Sequence, residues 1–132
     1  MKLRELIERL NERQRKTVMG CLEKCQIFDL DEELELEPRG ELQRFLKIMA
    51  NPIRYGILKI LRDRWMCVCL ISEALGVDQT LVSHHIRILK ELDLLHERRE
   101  GKLRFYRTNE ERLKEFIEML AEEFGHGAPE GR

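Results

Sequence analysis

The sequence predicts a mostly helical chain with one small β-hairpin, an α+β class. Apolar residues recur every three or four positions through most of the 132 residues, which is the period of amphipathic helices. The period changes to two in one short basic stretch, "LLHERREGKLRFYR". An apolar fraction of 42% is enough for a single hydrophobic core, so we expect one folded domain with extensions.

The first part of the chain, residues 1–28, is predicted to be a helical extension. Its apolar residues share one side of one or two helices within residues 2–26: Leu3, Leu6, Ile7, Leu10, Val18, Cys21, Leu22 and Cys25. Charges occur on nearly every turn of the N-terminus, there is no apolar middle typical of a signal peptide, and no run of eighteen apolar residues exists. A cytoplasmic protein is therefore expected.

Residues 29–38, "DLDEELELEP", contain six acidic residues in ten and end in proline. This composition is typical of an acidic linker. The next helix then carries the apolar stripe Leu42, Phe45, Leu46 and Met49. It stops at "NP", where Asn51 can cap the following helix and Pro52 can occupy its first turn. The buried face of that second helix is predicted to be Ile53, Ile57, Leu58 and Leu61.

A helix-turn-helix pattern follows. Gly76 ends a short helix that has Val68, Ile71 and Leu75 on one side. After the turn "VDQT", Asp78 or Thr80 can cap a second helix. The inward side of this second helix is Val82, Ile86 and Leu89. Its outer side is unusually polar and consists of Gln79, Thr80, Ser83, His84, Arg87 and Lys90.

The stretch with a period of two is predicted to be a basic hairpin, or wing. "EG" forms its two-residue turn, with Gly101 at positive φ, and Leu103 and Phe105 alternate with Arg104 and Tyr106. A last helix opens with a capping box from Thr108 to Glu111 and closes at Gly125. Its predicted buried residues are Leu113, Phe116, Ile117, Leu120 and Phe124. The tail, residues 125–132, is expected to be disordered.

The charges of the chain are unevenly distributed. The net charge is −1, yet residues 39–107 carry 14 Lys and Arg against 8 Asp and Glu, a net +6, between acidic flanks. Such a segment is the footprint expected of a surface that contacts phosphate, although chance clustering on a solvated surface is the simpler alternative.

Candidate DNA contacts follow from this pattern. We expect the major groove to meet Gln79, Thr80, Ser83, His84 and Arg87, with Lys90 near the backbone. In the wing, the residues expected to hold phosphate or to enter the minor groove are Arg98, Arg99, Lys102 and Arg104. His85 is predicted to be a packing residue, and His96 a surface residue.

Three motifs, in this order, resemble a known family. "LKIMANPIRYGILKIL", "CVCLISEALGVDQTLVSHHIRILKELDLL" and "EGKLRFYR" are similar to the ArsR/SmtB winged-helix metal-sensing repressors, over about residues 40–122. The resemblance implies a homodimer that packs through its terminal helices, binds operator DNA when metal-free and releases it on metal binding. It also implies that residues 39–124 form a winged helix-turn-helix domain with a C-terminal dimerisation helix, and that residues 1–28 contribute to dimerisation and metal ligation.

All four cysteines fall into two pairs. A helix projects Cys21 and Cys25 from one face, whereas Cys67 and Cys69 diverge by about 200° in a regular helix but can turn one way at a helix entrance. Together the four thiols suit Cd²⁺, Pb²⁺, Zn²⁺ or, with three sulfurs, As(III). The resemblance adds that the cadmium- and lead-sensing branch combines Cys-x3-Cys with Cys-x-Cys, usually from different protomers. No organic cofactor is expected.

Other interpretations of the cysteines remain open at this point. Either pair can be simple packing, and the thiols can instead serve a redox sensor or a structural zinc site in a regulator that acts constitutively. Some relatives have an Asp/His zinc site on the last helix, but residues 109–124 contain no histidine, and His126 belongs to the tail. An enzyme is not expected, because the sequence has no glycine-rich phosphate loop, nucleophile elbow or evident acid/base pair.

Overall fold

The computed structural model describes residues 1–125 and divides the chain into two compact units, Met1–Pro38 and a second unit that begins at Arg39. The predicted disordered tail lies, apart from Gly125, outside the described residues. Within residues 1–125, no helix is both long enough and apolar enough to cross a bilayer.

The first unit contains two helices, α1 at Leu3–Glu8 and α2 at Glu12–Cys25. Asn11 begins α2, because its side-chain oxygen accepts a hydrogen bond of 2.8 Å from the backbone N–H of Gln14. Gln26, at a φ of +48°, ends the helix. Ile7 of α1 is buried, but α2 has no buried residue.

The acidic segment does more than connect the two units. It returns beside the N-terminus, where Lys2 and Glu33 form an antiparallel bridge and the backbone N–H of Arg4 donates to Leu30 O at 2.9 Å. The N-terminal ammonium group lies 2.5 Å from the carboxylate of Glu33, and Arg4 lies 3.1 Å from Asp31. The hydrogen bond from the ammonium group holds the pKa of Glu33 below its usual value. Part of the predicted linker is therefore a paired element of the first unit.

The second unit is mostly helical with one small antiparallel sheet, which confirms the predicted fold class. Its helices are α3 at Gly40–Met49, α4 at Pro52–Ile60, α5 at Val68–Leu75, α6 at Gln79–Glu91 and α7 at Glu110–Phe124. Its strands are β1 at Met66–Cys67, β2 at Leu95–Glu100 and β3 at Leu103–Thr108, in the order β1-β3-β2. The sequence prediction did not include β1, because a two-residue strand has no measurable periodicity.

One hydrophobic core joins the helices to the sheet. The rings of Phe45 in α3 and Phe116 in α7 stack with centroids 4.4 Å apart. The fully buried aliphatic residues around them are Ile57, Leu61, Ile71, Val82, Leu89 and Leu94. In α3 the third buried position is Ile48, whereas Leu46, predicted for the stripe, is exposed.

The prediction for α7 was wrong at two positions. Ile117 and Phe124 were expected to be buried, but within the single chain they are 55% and 81% exposed. Phe116 is the buried residue of the helix, since it faces Phe45. An apolar strip is thus left on the outer side of α7.

Side-chain caps set the helix starts. As predicted, Asn51 Oδ1 accepts from the N–H groups of Ile53 and Arg54 at 2.9 and 3.1 Å. Asp78 begins α6 by accepting from the N–H of Thr80 at 3.1 Å.

The predicted capping box of α7 was wrong. Thr108 belongs to β3, where its buried hydroxyl donates to Leu58 O at 2.8 Å, and Asn109 caps α7 instead. The side chains at the start of α7 also reach the residues that follow α6. Asn109 Nδ2 donates to Asp93 O at 2.9 Å, and Arg112 Nε donates to Leu92 O at 3.1 Å. The last helix is therefore fixed to the end of α6.

The hairpin turn lies one residue further along than predicted. Glu100 pairs with Leu103, so the two turn residues are Gly101 and Lys102, with Gly101 at a φ of +60°. A glycine at the first of two turn positions is what a type II′ hairpin requires. On β3 it is Tyr106, rather than Leu103, that packs into the core.

We predict that Asn51→Ala lowers the free energy of unfolding by about 1 kcal/mol, because two N–H groups at the start of α4 lose their acceptor. Urea denaturation measures the loss. Asn51→Gly is the control and should cost only a few tenths of a kcal/mol. Equal stability of Asn51→Ala and the unmodified protein would contradict this account of the cap.

Candidate DNA interface and cysteine sites

The polar side of α6 is held outward by the burial of its opposite side. Val82, Ile86 and Leu89 lie in the core, together with His85. All six residues predicted to contact DNA from this helix are exposed: Gln79, Thr80, Ser83, His84, Arg87 and Lys90. The structure therefore places these side chains where a nucleic acid can reach them.

The wing carries the other predicted contacts. Arg98, Arg99, Lys102 and Arg104 are all exposed, and Arg99 lies directly opposite Arg104 on the neighbouring strand. Two like charges at such a cross-strand position repel each other unless an anion lies between or near them. Arg98 pairs with Glu100 at 2.6 Å.

Glu97 links the wing to α6. Its carboxylate lies 3.3 Å from Lys90 Nζ and 3.9 Å from Arg104. Burial alone would raise the pKa of Glu97, but hydrogen bonds from Tyr106 and Lys90 outweigh it, so the pKa lies below the usual value. The charged carboxylate holds two of the predicted DNA contacts in place.

A cleft of about 380 Å³ lies between α6 and the wing. Its lining combines two thiols with four cations: Cys67, Cys69, Arg87, Lys90, Lys102 and Arg104. In the sequence, the cysteine pair and these cations are separate motifs. In the structure they share one site.

The two cysteines of the cleft differ in their surroundings. Cys67 is 8% exposed, pairs with Phe105 in the sheet, and is the N-cap residue directly before α5. Cys69, in the first turn of α5, is exposed, and its Sγ lies 3.8 Å from Gln79 Oε1 in a thiol hydrogen bond. Because Cys67 belongs to β1 rather than to the helix, the wide divergence of a regular helix does not apply, and both residues line one cleft.

The other pair lies in the first unit. Cys21 and Cys25 are both exposed on α2, one turn apart. The pKa of Cys21 is raised by its hydrogen bond to the thiol of Cys25 and by repulsion from a charge on that sulfur. A cation bound between the two sulfurs would remove that repulsion, so the donor chemistry of each pair fits a soft ion. Within residues 1–125 of the single chain, no three His, Cys, Asp or Glu side chains gather as a metal site.

The role of Arg54 was not predicted from the sequence. Its Nη1 lies 3.0 Å from Nδ1 of His85, and its Nε donates to Ile48 O at 2.9 Å. Since a guanidinium group can only donate, Nδ1 of His85 is the acceptor and the ring is neutral. The arginine of "NPIR" thus ties α6 to the junction of α3 and α4.

Comparison with known proteins identifies the family. Residues 51–97 match the model of the bacterial regulatory proteins of the arsR family. A helix-turn-helix-type transcriptional regulator from Methanocaldococcus jannaschii is 35% identical over 88 residues, which cover 66% of this chain and 99% of that protein. The chain belongs to the arsR family.

Two further relatives bear on the site. A homolog of the cadmium resistance transcriptional regulatory protein CadC from Staphylococcus aureus is 29% identical over 79 residues, covering 59% of this chain and 65% of that protein. The homodimeric winged helix-turn-helix DNA-binding domain of a Mycobacterium bovis protein superposes with a TM-score of 0.53 at 26% identity, covering 76% of this chain and all of that one.

Membership of the arsR family settles the class of the protein. The chain is a DNA-binding transcriptional regulator, and the prediction that it is not an enzyme is confirmed by its relatives. The predicted resemblance to ArsR/SmtB regulators is confirmed as well.

We predict that stability falls on acidification because of His85. Burial, Arg54 and His84 lower its pKa in the folded protein below the ordinary value of 6.5. Just below pH 6.5 the unfolded chain therefore binds more protons than the folded protein. The contribution of His85 to the free energy of unfolding is complete above pH 6.5 and is lost as the pH falls towards the pKa of His85 in the folded protein. The free energy of unfolding of the His85→Gln variant should decline less between about pH 7 and pH 5.

Urea denaturation across this range gives both profiles. The same substitution at His96, which lies exposed in the wing, is the matched control for the loss of a histidine. A His85→Gln profile parallel to that of the unmodified protein would show that the Arg54–His85 contact does not control the response.

Proposed function

We propose that the chain is a metal-responsive transcriptional repressor that releases operator DNA when a thiophilic ion binds its cysteine thiolates. The ion belongs to the group Cd²⁺, Pb²⁺, Zn²⁺ and As(III). The observation that carries the proposal is the shared cleft, where Cys67 and Cys69 lie beside cations of the recognition helix and the wing. A regulator that acts on operator DNA works in the cytoplasm, where its thiols stay reduced.

In this proposal, α6 occupies the major groove of the operator. Gln79, Thr80, Ser83, His84 and Arg87 contact the base edges or adjacent phosphates, and Lys90 lies near the backbone. The wing cations Arg98, Arg99, Lys102 and Arg104 hold phosphate or enter the minor groove. The support is that all ten side chains are exposed and that several of them line one cleft.

The ligands are the four thiolates. Cys67 and Cys69 supply two sulfurs from the cleft, and a second protomer supplies Cys21 and Cys25 from its α2. These four sulfurs would hold a bound ion, and its coordination would fix the positions of the four side chains. The cadmium resistance relative supports the choice of ion class.

The repressor acts as a homodimer through its terminal helices. Ile117 and Phe124 expose an apolar strip on α7 that a second copy can bury, and α2 likewise has no buried side chain. The homodimeric relative supports this arrangement. Because Asn109 and Arg112 fix α7 to the end of α6, the dimer interface also sets where the recognition helix lies.

Coupling between the two sites follows from this geometry. Two recognition helices of a dimer fit successive major grooves only if they are about 34–36 Å apart. Four thiolates drawn together from two protomers favour one relative position of α5, and hence of α6, over others. A coupling free energy of roughly 1–3 kcal/mol, or about 5- to 150-fold in affinity, is sufficient for such a switch.

We predict that Cd²⁺, added to the reduced protein, produces thiolate-to-metal absorption that saturates at one ion per protomer and lowers affinity for its own promoter DNA. Cys21→Ser and Cys67→Ser should each weaken both responses, because each removes one sulfur ligand. Ultraviolet absorption and fluorescence anisotropy are recorded in one titration. Mg²⁺ is the control, since it prefers oxygen ligands and should have no effect.

If only Cys67→Ser weakens the response, the site is confined to the cleft and Cys21 and Cys25 are not ligands. If Cd²⁺ saturates the thiols while DNA affinity is unchanged, the regulatory proposal is wrong. Release by an oxidant instead of by metal would assign the cysteines to redox sensing.

We predict different consequences for two DNA contacts. Arg104→Ala should weaken binding to all sequences and reduce the salt dependence by about one counterion, because it removes a phosphate contact. Gln79→Ala should alter preference at one base pair, by roughly 1–3 kcal/mol. Anisotropy titrations at several salt concentrations measure both effects.

Lys59→Ala, at an exposed position of α4, is the control for the loss of a positive charge outside the proposed DNA and dimer contacts. Altered sequence preference in Arg104→Ala, with a uniform loss in Gln79→Ala, would reverse the two assignments.

A further inference from the structure

Gln79 is the predicted DNA contact that lies at the start of α6 and hydrogen-bonds to a cysteine. It is the first residue of α6, and the N-terminal residues of a recognition helix are those that contact base edges. Its side-chain oxygen also accepts a hydrogen bond from the thiol of Cys69, at an S···O distance of 3.8 Å. One side chain thus touches both the cysteine pair and the surface expected to meet the bases.

The thiol determines how the amide of Gln79 is oriented. A neutral thiol is the donor of the pair, so the amide turns its carbonyl oxygen towards Cys69 and leaves its NH₂ group for another partner. In that orientation Gln79 offers DNA a donor and favours acceptors such as N7 and O6 of guanine. Recognition of adenine by glutamine requires the carbonyl and the NH₂ group together.

Replacing the proton on Cys69 changes this preference. If Cys69 held a metal ion, an S–metal bond would replace its S–H bond and the proton would pass to solvent. The sulfur can then no longer donate to the carbonyl of Gln79. The amide is released, and it can turn its carbonyl towards the base edge.

We propose that Gln79 is a specificity-determining residue that carries the state of the Cys69 sulfur to the base edges within one protomer. The inference rests on the proposed function, since it assumes that α6 enters the major groove and that Cys69 is a ligand. It adds a route of regulation that does not require the two protomers to move. The thiol is a weak donor, so the effect on base preference is about fivefold, the equivalent of one weak hydrogen bond.

The experiment uses the metal-free, reduced full-length protein. The probes are a duplex selected by the unmodified protein from a randomised library and its single-base variants at the position where Gln79→Ala relaxes preference. Base preference is compared for Cys69→Ala, which has no donor, and for Cys69→Ser, which keeps an O–H donor. Both substitutions fall on an exposed side chain, and circular dichroism checks that the fold is retained.

We expect Cys69→Ala to shift preference towards adenine by about fivefold and Cys69→Ser to keep the preference of the unmodified protein. In a Gln79→Ala background, Cys69→Ala should have no further effect. The inference is overturned if Cys69→Ala keeps the original preference, if Cys69→Ser behaves like Cys69→Ala, or if the shift persists without Gln79.

This experiment contains no metal, so a negative result for the Cys69–Gln79 link is distinguishable from a negative result for the metal response. A protein that releases DNA with Cd²⁺ but shows no change in Cys69→Ala is a metal sensor without this link. A protein that ignores Cd²⁺ but shows the predicted shift in Cys69→Ala has the link without the metal response.

Discussion

The pairing of Cys67 with Phe105 is the interaction on which the arrangement of the site depends. Cys67 is at once a residue of β1 and the N-cap residue of α5, so this one position joins the wing to the helix-turn-helix. The backbone of Cys67 pairs with Phe105 in the sheet. Its thiol makes no capping hydrogen bond to α5, and Cys67 lines the cleft. Any ligand held by Cys67 therefore acts where the two DNA-binding elements meet.

Local signals explain how much of the fold could be predicted. The signals that start helices and turns act within a few residues, so they can be identified in the sequence. They are the caps Asn51 and Asp78 and the turn glycine Gly101. β1 depends instead on the pairing of Met66 with Tyr106, far away in the chain, and no local pattern reveals it. The prediction that Thr108 caps α7 was wrong because its hydroxyl donates instead to the carbonyl of Leu58, a residue far away in the chain.

The same division applies to the site. Residue types and spacing identify the outer side of α6 and the paired cysteines, because helix periodicity states which residues share a face. Spacing does not show that Cys69 touches Gln79, or that Arg54 reaches His85, since both contacts depend on how helices pack. The sequence therefore identifies the residues of the site, whereas the contacts between them are visible only in the folded structure.

Two routes can connect thiol chemistry to DNA binding, and they differ in what they demand of the molecule. A change in the spacing of two recognition helices requires both protomers and acts on the whole operator, because it is the distance between half-sites that no longer matches the DNA. The contact between Cys69 and Gln79 lies inside one protomer. The effect proposed for it concerns a single base pair of each half-site. In the proposed mechanism both routes begin at the first turn of α5, so ligation there would reduce DNA affinity through geometry and through base preference together. Because the two proposed effects start at one turn of helix, their free energies are coupled rather than additive, and a double-mutant cycle is the measurement that separates them.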